Sequence, residues 1–250
     1  MVIGGSPQYV GAPALVGLAA LASGADIVNI FAPKQVAWTI NTMSPALITT
    51  KLECEILNPD HVKPLLEASE NFDCLVIGNG LGAAKETIEA VSQILSKVSI
   101  PTVVDADAFK AKVVPKKGLL TPHSEEFRTM FQDQITKDVE KNKAKVQKYA
   151  AAKKCVILLK GGVDIISDGK KISENRIHNP DMTVGGTGDT LAGICAAFVA
   201  QSNGNLYESA TAAAWVNGTA GDMCLKKRKR VLPHWLVENI PESIQLGLFQ

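Results

Sequence analysis

The chain has 250 residues, 26 of them basic and 25 acidic, and a net charge of +1. That balance excludes a strongly basic surface for nucleic acid or for an acidic membrane. Hydrophobic residues make up 46% and aromatics 5%, a composition that excludes disorder and favours small residues packed closely between helices and a sheet.

Residues 1–6 read as the tail of a strand running into a glycine turn, and residues 13–23 as a helix ended by Gly24. The apolar stretch 10–25 is too short for a membrane span and is closed by Asp26. No basic leader precedes an apolar core, so no secretory signal is expected. Residues 26–31 form a β-branched strand and 33–41 a helix opened by its proline. Segments 46–50 and 52–56 are short and fit either class, whereas 61–70 has helical spacing. A strand at 73–77, a glycine turn at 78–82 and an amphipathic helix at 83–97 follow. The same order recurs with strand 101–104, Asp105-Ala106-Asp107 and a short helix. Strand 118–120 ends at Thr121-Pro122-His123, and helices 125–131 and 137–152 carry the chain onward, the second heavily charged.

This alternation predicts a parallel sheet covered on both faces, with ligands beyond the carboxyl ends of its strands. After residue 152 the pattern changes to three strand-like runs, 156–160, 163–167 and 171–177. The last two are joined by Asp168-Gly169, a hairpin signal that predicts an antiparallel edge. Helices 207–226 and 234–246 close the chain. No linker or repeat interrupts it, so a single α/β domain over 1–250 is expected. The five cysteines (Cys54, Cys74, Cys155, Cys195, Cys224) show no C-x-x-C pair, which argues against disulfides or zinc and for a reducing cytoplasm.

The densest motif is Val-Gly-Gly-Thr-Gly-Asp-Thr at 184–190, leading into an apolar run with helical spacing. Unsatisfied N–H groups and the positive end of a helix dipole make such a start an anion site. A carboxylate there, Asp189, repels phosphate, which suggests a base that meets a hydroxyl beside the anion hole; a turn with Asp189 as N-cap is the plainer alternative. The 78–82 turn is not a dinucleotide fingerprint, because it lacks the G-x-G-x-x-G spacing. His123 with Glu126 reads either as substrate contact or as a helix start capped by Thr121 or Ser124. Asp105 at a strand end fits Mg²⁺ or a positioned water, or a loop cap. Lys160-Gly161-Gly162 puts a lysine at a strand tip, facing phosphates or solvent, and no P-loop is present. The basic run 226–230 reads as a solvated helix end.

In this order the motifs resemble the ribokinase-like superfamily and, within it, the ADP/ATP-dependent NAD(P)H-hydrate dehydratases, with Gly11-Ala12-Pro13-Ala14 most similar to archaeal members. The resemblance rests on Gly4-Gly5-Ser6 with Tyr9, the 11–14 segment, 78–82, 105–108, Thr121-Pro122-His123 with Glu126, Lys160-Gly161 and 185–193. It implies a three-layer α/β/α fold and an enzyme that phosphorylates the C6 hydroxyl of hydrated NADH or NADPH (the S-epimer) from ADP or ATP, then eliminates phosphate. Asp189 is then the general base, and the N–H groups of 186–188 stabilise the moving phosphoryl. Ala12, Gly82, His123 and Asp189 hold the hydrated dinucleotide. Lys160, Gly161, Gly162, Val163, Asp164, Gly186, Thr187 and Gly188 hold the nucleotide, with Mg²⁺ on the phosphates.

The resemblance also implies small-molecule substrates rather than nucleic acid or membrane, and a homo-oligomer, often a tetramer. A thiazole or pyrimidine alcohol kinase of the same superfamily is the alternative. Relatives often have Pro where Asn79 stands, Pro-Gly at Ser124-Glu125 and Thr at Asp164. They also carry a segment upstream of the first strand, and often a fused epimerase domain that is not in this sequence. A dehydratase without epimerase activity is therefore expected.

Overall fold

The structure, a computed structural model, describes residues 1–248, so the last two residues of the predicted domain lie outside the described residues. A single sheet of nine strands runs through it: β1 (Val2–Ile3), β2 (Asn29–Pro33), β3 (Ile48–Leu52), β4 (Leu75–Ile77), β5 (Thr102–Val104), β6 (Gly118–Leu120), β7 (Val156–Leu159), β8 (Asp164–Ser167) and β9 (Ile172–Asn175). The strand order is β3-β2-β1-β4-β5-β6-β7-β8-β9. Strands β1 to β7 pair parallel, while β7–β8 and β8–β9 pair antiparallel, as the change of pattern after residue 152 predicts.

Residues alternate between the two faces. Val2, Ile30, Val76, Val103 and Leu119 join one core, which is covered by α1 (Gly11–Ala22), α2 (Lys34–Met43), α7 (Thr187–Gln201), α8 (Leu206–Arg228) and α9 (Pro233–Leu248). Ile3, Phe31, Leu75, Ile77, Val104 and Leu120 join the other, under α3 (Val62–Ser69), α4 (Lys85–Lys97), α5 (Ser124–Phe131) and α6 (Val139–Lys153). Both faces of the short parallel strands are therefore apolar, as a doubly covered sheet requires. Ala19 and Ala20 of α1 and Ala192 and Ala197 of α7 belong to the first core, and side chains this small let α1 and α7 pack side by side. No helix among the described residues is long and apolar enough to cross a membrane.

Two local expectations change. The ambiguous pair 46–50 and 52–56 contributes one strand, β3, whose ladder ends where Leu52 pairs with Pro33, because β2 turns there directly into α2. The β8–β9 connection is four residues long, 168–171, rather than the three left between the expected runs. The Asp168 carboxylate accepts the N–H groups of Lys170 (2.7 Å) and Lys171 (2.6 Å), which rounds the turn.

The topology places the site. From β1 the chain moves outward to β2 and β3, then returns to lay β4 on the other side of β1. This reversal opens a crevice between the carboxyl ends of β1 and β4, the place where ligands settle on open α/β sheets.

Candidate active site

Helix α7 begins at Thr187, so it takes in the end of the glycine motif. Gly186 is its N-cap, at φ +104°. A Cβ there would stand 2.7 Å from Pro233 Cγ and 2.8 Å from Leu15 Cδ1, so both backbone angle and space call for glycine. Asp189 is therefore not the cap; it lies in the first turn of the helix. The Thr187 hydroxyl pins the turn through the carbonyls of Met182 (2.8 Å) and Val184 (2.9 Å). First-turn N–H groups lack acceptors within a helix and carry the positive dipole end, which makes this turn an anion site.

Side chains from four strand ends converge beside it. Asp105, following β5, is 2% exposed, and burial at that level demands full pairing. Its Oδ1 accepts from Thr121 Oγ1 and from Lys160 Nζ, each at 2.8 Å. Its Oδ2 accepts from Asn79 Nδ2 at 3.0 Å, and the same nitrogen donates to Asp189 Oδ1 at 2.7 Å. Glu126 Oε2 lies 3.5 Å from Lys160 Nζ.

Two carboxyls, Asp105 and Glu126, thus share one ammonium, and Asp189 feels its charge from beyond the Asn79 amide. Burial, and then the charge of Asp105, push the Asp189 carboxyl up to about 7. Burial also raises Glu126. Burial opposes the charge on Lys160, but Asp105 and Glu126 outweigh it and hold the ammonium above its usual range. A carboxyl that titrates near neutrality is suited to accept a proton at working pH.

A cleft of about 600 Å³ lies over this cluster. Asp105, His123, Lys160, Gly161, Gly162, Asp164, Gly186, Thr187, Gly188 and Asp189 all line it. Val163, Ala12 and Gly82 do not line that cleft. Val163 sits in the β7–β8 turn, where the Gly161 N–H donates to Asp164 Oδ1 at 3.1 Å. Ala12, in the first turn of α1, and the 78–82 turn are neighbours at the β1–β4 crevice: a Cβ on Gly80 would come within 3.2 Å of Ala12 Cβ. The Gly82 N–H donates to Asp107 Oδ2 at 2.8 Å. The predicted residues therefore fall in two adjoining places, a cleft over β5–β7 and α7 and a crevice at β1–β4. Asn79 bridges them.

His123 is itself the N-cap of α5, in place of Thr121 or Ser124. Its Nδ1 accepts the N–H groups of Glu125 (3.1 Å) and Glu126 (3.4 Å), and Glu126 Oε2 accepts the His123 N–H at 2.8 Å. This reciprocal capping fixes the proton of a neutral ring on Nε2. His123→Ala is expected to lower stability by about 1 kcal/mol, read as a lower urea midpoint at unchanged slope.

In the sequence Asn79 stands out only as a departure from relatives. The available signal was an amide inside a strand-end glycine turn. Glu126 was legible as a capping acid but not as a neighbour of Lys160.

The family model described as NAD(P)H-hydrate dehydratase matches residues 1–242. The bifunctional NAD(P)H-hydrate repair enzyme Nnr of Hyperthermus butylicus is 40% identical over 98% of this chain and 48% of its own length. The ADP-dependent (S)-NAD(P)H-hydrate dehydratase of Cenarchaeum symbiosum is 36% identical over 89% of this chain and 79% of its own. The chain spans about half the length of the bifunctional relatives. In fold it is similar to the Bacillus subtilis ADP/ATP-dependent NAD(P)H-hydrate dehydratase co-crystallized with ATP/Mg²⁺, with a TM-score of 0.82 at 24% identity over 98% of this chain and 88% of that one. A match reaching from the first strand into the last helix, in sequence as well as in fold, settles the lineage: the chain belongs to the NAD(P)H-hydrate dehydratase family.

Proposed function

We propose that this chain returns the S-epimer of hydrated NADH or NADPH to the reduced dinucleotide, with ADP or ATP as phosphoryl donor. The observation that carries the reading is the Asp189 carboxyl, raised to about 7 by burial and Asp105, on the first turn of a helix whose residues 186–189 line the cleft. Pure nucleotide binding has no use for a carboxylate beside an anion site, whereas phosphoryl transfer to a hydroxyl needs a base there. The relatives from Cenarchaeum symbiosum and Nitrosopumilus maritimus, both ADP-dependent (S)-NAD(P)H-hydrate dehydratases, support the same reading.

Asp189 takes the proton of the C6 hydroxyl as that oxygen attacks the terminal phosphorus of the donor. The bond from phosphorus to the bridging oxygen breaks, releasing AMP from ADP or ADP from ATP. The first-turn N–H groups of α7 stabilise the charge on the moving phosphoryl. The C6–O bond then breaks, driven by the ring nitrogen lone pair, and phosphate leaves. Loss of a C5 proton restores the ring double bond. Lys160 has three N–H donors; Asp105 takes one and Glu126 lies near a second, so one remains for a phosphate oxygen.

The residues fit Mg²⁺ shared with those phosphates. Asp105 and Glu126 both line the cleft; Asp105 is held by Asn79, Thr121 and Lys160, and Glu126 by the His123 N–H and ring. Among the described residues no three His, Cys, Asp or Glu side chains are grouped to hold a metal alone. Asp105, the residue expected from the sequence, or its neighbour Glu126 would hold the ion together with phosphate oxygens, where it would neutralise phosphate charge.

Asp189 must be ionised to accept the proton, so activity is lost as pH falls through its pKa of about 7. The acidic limb of kcat/KM, which reports the free enzyme, is expected to drop about tenfold per pH unit below neutrality. Absorbance at 340 nm, followed with hydrated NADH, Mg²⁺ and either ADP or ATP, tests the function. A rise that requires nucleotide and releases phosphate supports it and names the donor. No rise, with stable phosphorylation of thiazole or pyrimidine alcohols instead, would assign the chain to the sister kinases.

A further inference from the structure

The Asn79 side chain is fully buried, and both protons of its amide nitrogen are committed. One goes to Asp105 Oδ2 at 3.0 Å and the other to Asp189 Oδ1 at 2.7 Å. Ionised carboxylates only accept, so the amide can face them in one orientation alone. The opposite orientation would set its carbonyl against two carboxylates. The cost of the adopted orientation is visible: Asn79 Oδ1 is buried without a hydrogen-bond partner. A side chain kept only for packing has no reason to carry an orphaned acceptor.

The residue and its first acceptor are held from behind. The Asn79 carbonyl accepts the Gly5 N–H at 2.9 Å, tying the turn after β4 to the turn after β1. Asp105 is anchored in turn by Thr121 and Lys160. From these constraints we infer that Asn79 is the positioning residue of the site: anchored on Asp105, its amide fixes one oxygen of Asp189 and presents the other to the substrate hydroxyl. This rests on the reading of Asp189 as the base. It also gives the junction between cleft and crevice a purpose, since the hydroxyl arrives from the β1–β4 side and the phosphoryl from the β5–β7 side.

The amide has a second effect. Two carboxyls meet across it, and its N–H dipoles are what each sees of the other. The groups acting on Asp189 are Asp105 and Glu126, which raise its pKa, and Asn79 and Lys160, which lower it. Removing the amide takes away one of the two groups that favour the ionised base.

The test is Asn79→Leu, similar in volume and without donors, alongside Asn79→Ala in case the branched chain disturbs packing. Enzyme labelled with carboxyl-¹³C aspartate is titrated by NMR without substrate, and Asp189 is assigned by the signal missing from Asp189→Asn. In both variants the Asp189 midpoint is expected to rise by about one pH unit or more. At pH 7 kcat is expected to fall at least about tenfold and to recover in part by pH 9, with KM for ADP within about twofold. A merely structural role gives no such recovery with pH. An Asp189 titration unchanged in both variants overturns the inference. The titration needs no turnover, so the two readings fail separately. A shifted midpoint in an enzyme inactive on hydrated NADH leaves the bridge standing and sinks the proposed reaction.

Discussion

Asp189→Asn is expected to lower kcat by about 10²–10⁴-fold, the usual contribution of a positioned general base, while ADP affinity stays within about severalfold. The substitution removes the proton acceptor but leaves the first-turn N–H groups of α7, Lys160 and the Gly161-Gly162 turn in place around the nucleotide. Equilibrium dialysis with ADP and single-turnover kinetics measure the two effects separately. Normal turnover in the variant would remove Asp189 from the mechanism.

The same variant is expected to be more stable than the wild type at pH 8. The Asp189 pKa in the folded chain, about 7, lies above the ordinary aspartate value of 3.8, so the folded state holds the proton more tightly than the unfolded chain does. That stabilisation is full below about 4, is lost as pH rises toward 7, and is absent above it. The asparagine carries no charge at any pH and escapes the loss, a gain on the order of a few kcal/mol at most. Urea midpoints of the two proteins at pH 5 and pH 8 read it: the difference should widen with pH. This is the familiar trade in which a buried charge serves chemistry at the expense of the fold.

The second large effect falls on Gly78, at the end of β4. It sits at φ +130°, and a Cβ there would stand 1.8 Å from the Asp105 carbonyl oxygen and 2.8 Å from Ala108 Cβ. Gly78→Ala therefore combines backbone strain of about 1–3 kcal/mol with overpacking of about 1–3 kcal/mol. A total loss of about 2–6 kcal/mol is expected, a large fraction of a typical stability. The clash falls on the backbone of the residue that anchors Asn79 and Lys160, so activity should drop even where the protein remains folded. Denaturant unfolding together with kcat well below the transition checks both. A variant with the wild-type midpoint would show that the β4 and β5 loops have slack.

Much of this molecule is legible in one dimension. Glycine turns after apolar runs marked the strand ends, and the change after residue 152 marked the antiparallel edge, because side-chain period and turn chemistry are properties of neighbouring residues. The Gly-Gly-Thr-Gly-Asp turn announced a helix start with a carboxylate for the same reason. Where local signals competed, the sequence was silent or near misses arose. Thr121 and Ser124 were the expected caps of α5, and the three-dimensional path of the chain gave the task to His123 between them. Thr121 instead turned its hydroxyl onto Asp105.

By itself, then, the sequence determined the doubly covered parallel sheet, its antiparallel edge and the family to which the motifs belong. The chemistry between those motifs was decided by tertiary structure. Lys160 meets Asp105 across 55 residues and Asn79 meets Asp189 across 110, contacts that exist only because the strand order brings β4, β5 and β7 to one side of a single sheet. A carboxyl near 7 follows from burial and from the charge of a neighbour distant in sequence. Neither quantity is carried by the residue itself, since desolvation and Coulomb energy depend on what surrounds a group in space.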